Sequence, residues 1–290
     1  MKGLILVNGY TRSEHELNQP RRIRAELAAR GVQCQLLRND GTLAFLAGGA
    51  RSQLADAAFA VYLDKDSYAS HLLEKAGLRL FNRADAVEVC DDKMRTHIAL
   101  AGAVPMPRTL AAPLCYTDGE PVAEHLLDEA ERLLGYPVVV KECYGSLGKG
   151  VHLARDRAQL RALLTRLQKV PHLLQQFAAE RAGEDVRVIV IGGRAVGAMR
   201  RISQGDFRSN AELGGRAESV SPDGEAVRIA ERAAALLGLD YCGVDLLPTA
   251  DGYLLCEVNS NAFFGTFERV TGINVAARYA EHIIAAMSAR

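Results

Sequence analysis

Residues 136–151 read YPVVVKECYGSLGKGV. The apolar run Val138 to Val140 is strand-like and passes through Lys141 into three closely spaced glycines, Gly145, Gly148 and Gly150. Glycines at that spacing let backbone N–H groups approach and cradle phosphate oxygens. Val151-His152-Leu153 then continues as strand, so the segment is a hairpin and not a Walker loop, which needs GK followed by Ser or Thr and then a helix. The ordinary alternative is a glycine-rich turn that binds nothing. Lys141, ending the apolar run, is placed to reach the same cleft and neutralise phosphate as a point charge. A solvated strand-end lysine is the bland alternative.

Upstream of this hairpin, residues 121–134 form an amphipathic helix, and residues 85–101 read as one helix stopped by GAVPMP at 102–107. Strand-like runs at 3–8, 32–37, 57–63 and 78–81 alternate with helical patterns at 19–30 and 68–76, closed by Gly31 and Gly77. That alternation predicts a small parallel α/β domain. Its first turn, Asn8-Gly9-Tyr10, offers no GxGxxG, which removes a dinucleotide-binding oxidoreductase reading. Downstream come a helix at 156–167, a strand at 172–177, a hairpin of residues 185–202 around Gly192-Gly193, and a helix at 223–237. Strands at 241–247 and 253–259 follow, joined by the turn TADG, residues 249–252. The C-terminal half therefore reads as an antiparallel sheet with helices. The fold class is α/β (α+β).

The 290 residues are 49% hydrophobic, enough for a sizeable core. Lys plus Arg and Asp plus Glu are equal at 35 each, so no basic excess points to a nucleic-acid partner. No run approaches the roughly 18 apolar residues that cross a bilayer, and the N-terminal run lacks the pattern of a signal peptide. The six cysteines are scattered singly, without zinc spacing. A soluble cytoplasmic protein with reduced thiols and no membrane partner is expected.

Asp245 lies in the apolar strand CGVDLL, while Glu257 and Asn259 lie two apart in LLCEVNSN. Residues two apart on a strand share a face, so Glu257 and Asn259 converge, and Asp245 can face them across a hairpin. Carboxylate and amide oxygens suit a hard ion such as Mg²⁺. A solvated polar sheet face is the alternative, but charges inside such apolar strands are hard to bury without a partner. The loop at 205–215, GDFRSNAELGG, carries Arg208, Ser209 and Asn210; Arg208 can fork onto phosphate or a developing oxyanion with Asn210 beside it. Arg200-Arg201 and Lys93 are ambiguous on their own.

Taken in order, Lys93, PVVVK with GSLGKGV, LLQQF, GEDVRVIVIGG, DFRSN, GVDLL and CEVNSN resemble the RimK-like branch of the ATP-grasp ligases, from about residue 85 to 285. The resemblance implies an ATP-grasp fold: an N-terminal α/β (pre-ATP-grasp) domain, 1–84, and an ATP-grasp domain, 85–290. Two α+β lobes, about 104–173 and 174–290, would clasp ATP. It assigns Lys93 and Lys141 to the ATP phosphates, and Gly145, Ser146, Gly148, Lys149 and Gly150 to the flap over them. Gln176 and Phe177 fall at the hinge meeting adenine, and Asp185 on the ribose side. Arg208, Ser209 and Asn210 face the γ-phosphate, with Arg208 and Asn210 catalytic, and Asp245, Glu257 and Asn259 hold two Mg²⁺ ions or Mn²⁺ in their place.

The activity implied is amide-bond formation through an acyl-phosphate, with glutamate as the lead amino acid and a peptide, protein C-terminus or cofactor as its partner. A ligase for another amino acid and a non-catalytic ATP-binding regulator are the alternatives. Homo-oligomerisation is left open. Three departures mark this chain: Gln176 where Glu is frequent, Leu147 where Gln is frequent, and Ser260-Asn261-Ala262-Phe263-Phe264 in place of Ala-Ser-Pro-Gly. The last points to an altered acceptor pocket.

Overall fold

The structure, a computed structural model, describes residues 1–54, 56–117, 119–146, 148–203, 205–208, 215–222 and 224–289. The N-terminal part runs β1 (Lys2–Asn8), α1 (Glu14–Ala29), β2 (Gln33–Asn39), β3 (Ala44–Leu46), β4 (Ala50–Ser52), β5 (Phe59–Leu63), α2 (Ser67–Lys75) and β6 (Arg79–Phe81). Its parallel sheet has the order β2-β1-β5-β6, as the strand–helix alternation predicts. The β3–β4 hairpin was not expected; its strands have three residues each, too short for a periodic signal.

Helix α1 begins five residues before its expected start at Gln19. The reason is an N-cap: the Ser13 side chain accepts from the Glu16 N–H and donates to the Glu16 carboxylate at 2.6 Å. Pro20 sits inside the helix and leaves the Glu16 carbonyl without its intrahelical donor.

The helix expected over 85–101 is two helices, α3 (Ala84–Asp91) and α4 (Lys93–Leu100). Asp92 breaks them apart with an extended backbone (φ −99°, ψ 109°), and its carboxylate caps α4 by accepting from the N–H groups of Met94 and Arg95. The break makes Lys93 the first residue of α4, and its N–H donates to Cys143 O at 3.0 Å. A continuous helix would turn that N–H inward.

The central part contains β7 (Thr109–Ala111), α5 (Glu124–Leu134), β8 (Val138–Glu142), β9 (Val151–Ala154), α6 (Arg157–Leu167) and β10 (His172–Gln176), forming an antiparallel sheet β7-β10-β8-β9. β10 carries this sheet to Gln176, past the lobe division placed after residue 173. The two helices pack with one sheet face around Leu127, Leu134, Val138, Val140, Leu160 and Leu174.

The C-terminal part contains β11 (Glu184–Ile191), β12 (Arg194–Ile202), β13 (Arg216–Val220), α7 (Gly224–Leu237), β14 (Tyr241–Thr249), β15 (Gly252–Asn259), α8 (Gly265–Thr271) and α9 (Val275–Ser288). Its antiparallel sheet has the order β13-β12-β11-β14-β15. One core joins this sheet to α7 and to residues of α3 and α4, with Val188, Val244 and Ala233 central. A second core joins it to the N-terminal sheet, bringing Ile5, Phe59 and Phe81 together with Ile189, Tyr241 and Tyr279. The two parts thus share apolar interior. The Asn82 amide locks the junction, donating to the carbonyls of Tyr241 and Ser260 and accepting from the N–H groups of Asp240 and Tyr241. No helix among the described residues is long and apolar enough to cross a membrane.

Because one side chain ends α3 and starts α4, Asp92→Ala is expected to lower the unfolding free energy by about 1 kcal/mol in a urea titration, the usual worth of an N-cap. An unchanged midpoint would remove Asp92 as the cause of the break.

Candidate active site

The three sheets surround one cleft of about 530 Å³, large enough for a ligand of nucleotide size. Lys93 and Lys141 line it and are each 8% exposed. Lys93 Nζ donates to Gly145 O at 2.9 Å, and Lys141 Nζ donates to Cys256 Sγ at 3.5 Å. Among the described residues neither lysine has a carboxylate within ion-pair distance. A buried ammonium without a counter-charge is costly, so this end of the cleft is prepared for an anion. His97 beside it is driven down to about 4 by burial and, second, by the Lys141 charge, and so stays neutral near pH 7.

The cleft floor is one face of the C-terminal sheet. Arg187 stands opposite Asp245 across β11 and β14, and Asp185 opposite Arg201 across β11 and β12. Arg187 forks onto Asp245 with two bonds of 2.7 Å, Arg201 donates to Asp245 at 2.9 Å, and Arg201 also forks onto Asp185. Burial alone would raise the Asp245 carboxyl, but the two guanidiniums outweigh it and hold it below the usual range. Burial likewise works against the Arg201 charge, and the two aspartates overcome it. All four residues line the cleft.

Glu257 faces Asp245 across the β14–β15 pair, and Asn259 faces Gly243. The Glu257 carboxylate is half-buried and has no hydrogen bond or ion pair among the described residues. Asn259 Nδ2 lies 3.4 Å from Asp245 Oδ2. Glu257 and the Asn259 amide oxygen are therefore uncommitted, while Asp245 is shared with two arginines and contributes to a metal only through its remaining lone pairs. An all-oxygen set with one unpaired carboxylate fits a hard divalent ion.

Ser146 and Gly148 of the flap line the cleft, whereas the Lys149 side chain is exposed and lies outside the lining, as do Gly145 and Gly150. Gly148 has φ +72°, and its carbonyl accepts from Arg208 Nη1 at 3.1 Å, tying the arginine loop to the flap. Arg208 also pairs with Asp206 at 2.6 Å, and this hydrogen bond raises its already high proton affinity. Gln176 and Phe177 line the cleft at the end of β10, and Phe177 meets Phe207 edge-on at 6.0 Å. Gln176 accepts from Arg108 Nε at 3.1 Å. Asp185 lines the cleft with its carboxylate already engaged by Arg201. Ser209, Asn210 and Leu147 lie outside the described residues.

Arg187 was not singled out from the sequence, although it lies two residues from Asp185 on a strand and so shares its face. The wall formed by Asn8, His15, Gln19 and Asp64 was also missed. Its signal is topological: the sheet order reverses between β1 and β5, and ligands gather beyond the carboxyl ends of strands at such a point.

A family model for the RimK-like ATP-grasp domain matches residues 90–283. Beta-citrylglutamate synthase B of Danio rerio is 38% identical over 234 residues, covering 79% of this chain and 56% of that protein. N-acetylaspartylglutamate synthase A of Homo sapiens is 37% identical over 234 residues, covering 79% and 58%. The chain thus spans a little over half the length of these relatives. A RimK domain ATP-grasp protein from Sphaerobacter thermophilus has the same fold, with a TM-score of 0.71 at 22% identity over 97% of this chain and 99% of that one. Fold, cleft and sequence agree, and the chain belongs to the RimK-like ATP-grasp family.

Proposed function

We propose that the protein is an ATP-dependent carboxylate–amine ligase, with α-L-glutamate ligation as the leading activity. The observation that carries this reading is the pair of buried lysines, Lys93 and Lys141, lining the cleft without a carboxylate partner among the described residues. A triphosphate supplies the missing negative charge, and Ser146 and Gly148 of the flap lie over the same space. Glu257 and Asn259, with Asp245 sharing its charge, would hold Mg²⁺ or Mn²⁺. A divalent ion there would screen phosphate charge and polarise the transferring group.

The reaction runs in two displacements. A substrate carboxylate oxygen attacks the γ-phosphorus of ATP, the bond to the bridging oxygen breaks, and ADP leaves with an acyl-phosphate formed. The amine then attacks the acyl carbon, the carbon–oxygen bond to phosphate breaks, and the nitrogen loses a proton as the amide forms. The lysines hold phosphate oxygens throughout, so catalysis rests on positioning and electrostatics. Arg208, once it exchanges Asp206 for phosphate, neutralises charge that builds on the transferred group. The two synthases named above differ in the acyl part, citryl or N-acetylaspartyl, and share glutamate. This supports glutamate as the amine here. The same reading treats the N-terminal sheet as a pre-ATP-grasp domain and the other two as the clasping lobes.

Lys141→Met is expected to weaken binding of a non-hydrolysable ATP analogue by roughly 10- to 100-fold in calorimetry, the value of one charge-assisted hydrogen bond. Undiminished affinity would count against the phosphate assignment. For Glu257→Gln, Mn²⁺ titration followed by electron paramagnetic resonance in the presence of the analogue should show weaker metal binding. An identical titration curve removes Glu257 from the ligand set. Arg208→Ala should lower the rate of ADP release with glutamate and a pooled set of carboxylic acids by about 100-fold, with analogue affinity nearly unchanged. A variant as fast as the parent would show that Arg208 has no transition-state role.

A further inference from the structure

One wall of the cleft carries Asp64 and Glu16 beside a lysine, Lys65, whose ammonium is paired with Asp91. It is built by α1, by the chain leaving β5, and by the segment Ser260 to Phe264 after β15. Gln19 on α1 is 3% exposed, and its Nε2 donates to Asn261 Oδ1 at 3.1 Å. Asn261 Nδ2 in turn donates to Leu63 O at 2.9 Å. A backbone carbonyl only accepts, which fixes the Asn261 amide with its nitrogen toward Leu63 and its oxygen toward Gln19. Gln19 must therefore present nitrogen to Asn261 and keep Oε1 turned away. That oxygen is buried and has no hydrogen-bond partner among the described residues.

Asp64, next to Leu63, is 4% exposed. Its oxygens accept from Asn8 Nδ2 at 3.0 Å, Asn39 Nδ2 at 3.0 Å and the Lys65 N–H at 2.8 Å. Every one of these donors is neutral, and no Lys, Arg or His of the described residues lies within the 4.0 Å of an ion pair. Asp185 and Asp245, equally buried on the cleft floor, each have a guanidinium. Asp64 and Gln19 thus leave a negative charge and an acceptor unanswered on the same wall. Both lie beside the crevice at the carboxyl ends of β1 and β5. The rings of His15 and Phe263, 5.2 Å apart, bound it.

We propose that this wall docks the amine substrate: its ammonium lies in the field of the Asp64 carboxylate and donates a hydrogen bond to Gln19 Oε1, which is buried without the ligand and turns toward it on binding. A substrate carboxylate has no donor for Gln19 Oε1 and is repelled by Asp64, so it is directed to the lysine end instead. The assignment rests on the ligase reading above and adds to it the place and the recognition chemistry of the amine. It also gives Asn261 a task, that of orienting Gln19, within the segment that departs from the family pattern.

The test uses the full chain with Mg²⁺ and a β,γ-imido analogue of ATP. L-glutamate and N-acetyl-L-glutamate are titrated by calorimetry, followed by the same free and N-acetylated pairs for the other L-amino acids. At least one free amino acid should bind, and its N-acetyl form at least about tenfold more weakly. Gln19→Met and Asp64→Asn should each weaken the free amino acid by about tenfold or more. Both should keep the affinity for the ATP analogue, which reports that they are folded. If Asp64→Asn does not fold, Gln19→Met decides alone.

Three results overturn the proposal: no binding of any amino acid to the parent protein, equal binding of the free and N-acetylated forms, or binding that survives the substitutions. ADP release is scored separately. Amino-acid binding of the expected kind without turnover on any carboxylic acid would sink the ligase reading and leave the docking site standing.

Discussion

The C-terminal sheet depends on four charges buried in alternation, Arg187, Asp245, Arg201 and Asp185, contributed by three neighbouring strands. Each charge is costly to take from water, and each is tolerated because its neighbour across the strand carries the opposite sign. A slip of one residue in β12 or β14 would send one member to the opposite, apolar face of the sheet, a slip in β11 would send both Asp185 and Arg187, and the charges left behind would be stranded. Removing one partner of a buried pair typically costs about 3–5 kcal/mol, whereas the register that juxtaposes them costs nothing further. The network therefore specifies alignment more than it adds stability, and alignment places Glu257 and Asn259 beside Asp245.

Around that neutral floor the cleft is polarised. Among the described residues, two ammonium groups without carboxylate partners stand at the flap, and a carboxylate without a cation partner stands by the N-terminal sheet. The unpaired charges are the ones a substrate must complete, while the paired ones hold the frame. Arg208 is intermediate. It is held by Asp206 and by the Gly148 carbonyl, so its availability depends on the same flap that covers the lysines.

Much of this was legible in the sequence for identifiable reasons. The hairpins around Gly192-Gly193 and residues 249–252 announce themselves by turn chemistry, and Glu257 and Asn259 by their spacing of two in an apolar strand. The ordered motifs supplied the family and with it the expectation that Lys93 and Asp185 line the cleft, which no local pattern distinguishes from surface charge. What could not be read depends on contacts distant in sequence. The break at Asp92 looks like a helix interior until the Lys93 N–H is seen donating to Cys143. Strands of three residues such as β7 form because β10 offers them a ladder, not because of their own propensity. Gln19 was read as the start of a helix, and its cleft-facing role appears only when Asn261, far along the chain, arrives beside it.

The core shared by the N-terminal and C-terminal sheets has a mechanical consequence. Ile5, Phe59 and Phe81 interlock with Ile189, Tyr241 and Tyr279, and Asn82 ties the junction through four hydrogen bonds, so these two parts behave as one stiff jaw. The central sheet packs around a separate interior of its own, centred on Val138 and Leu160. A ligand on the side of the stiff jaw meets a surface whose shape shared packing has set before it arrives.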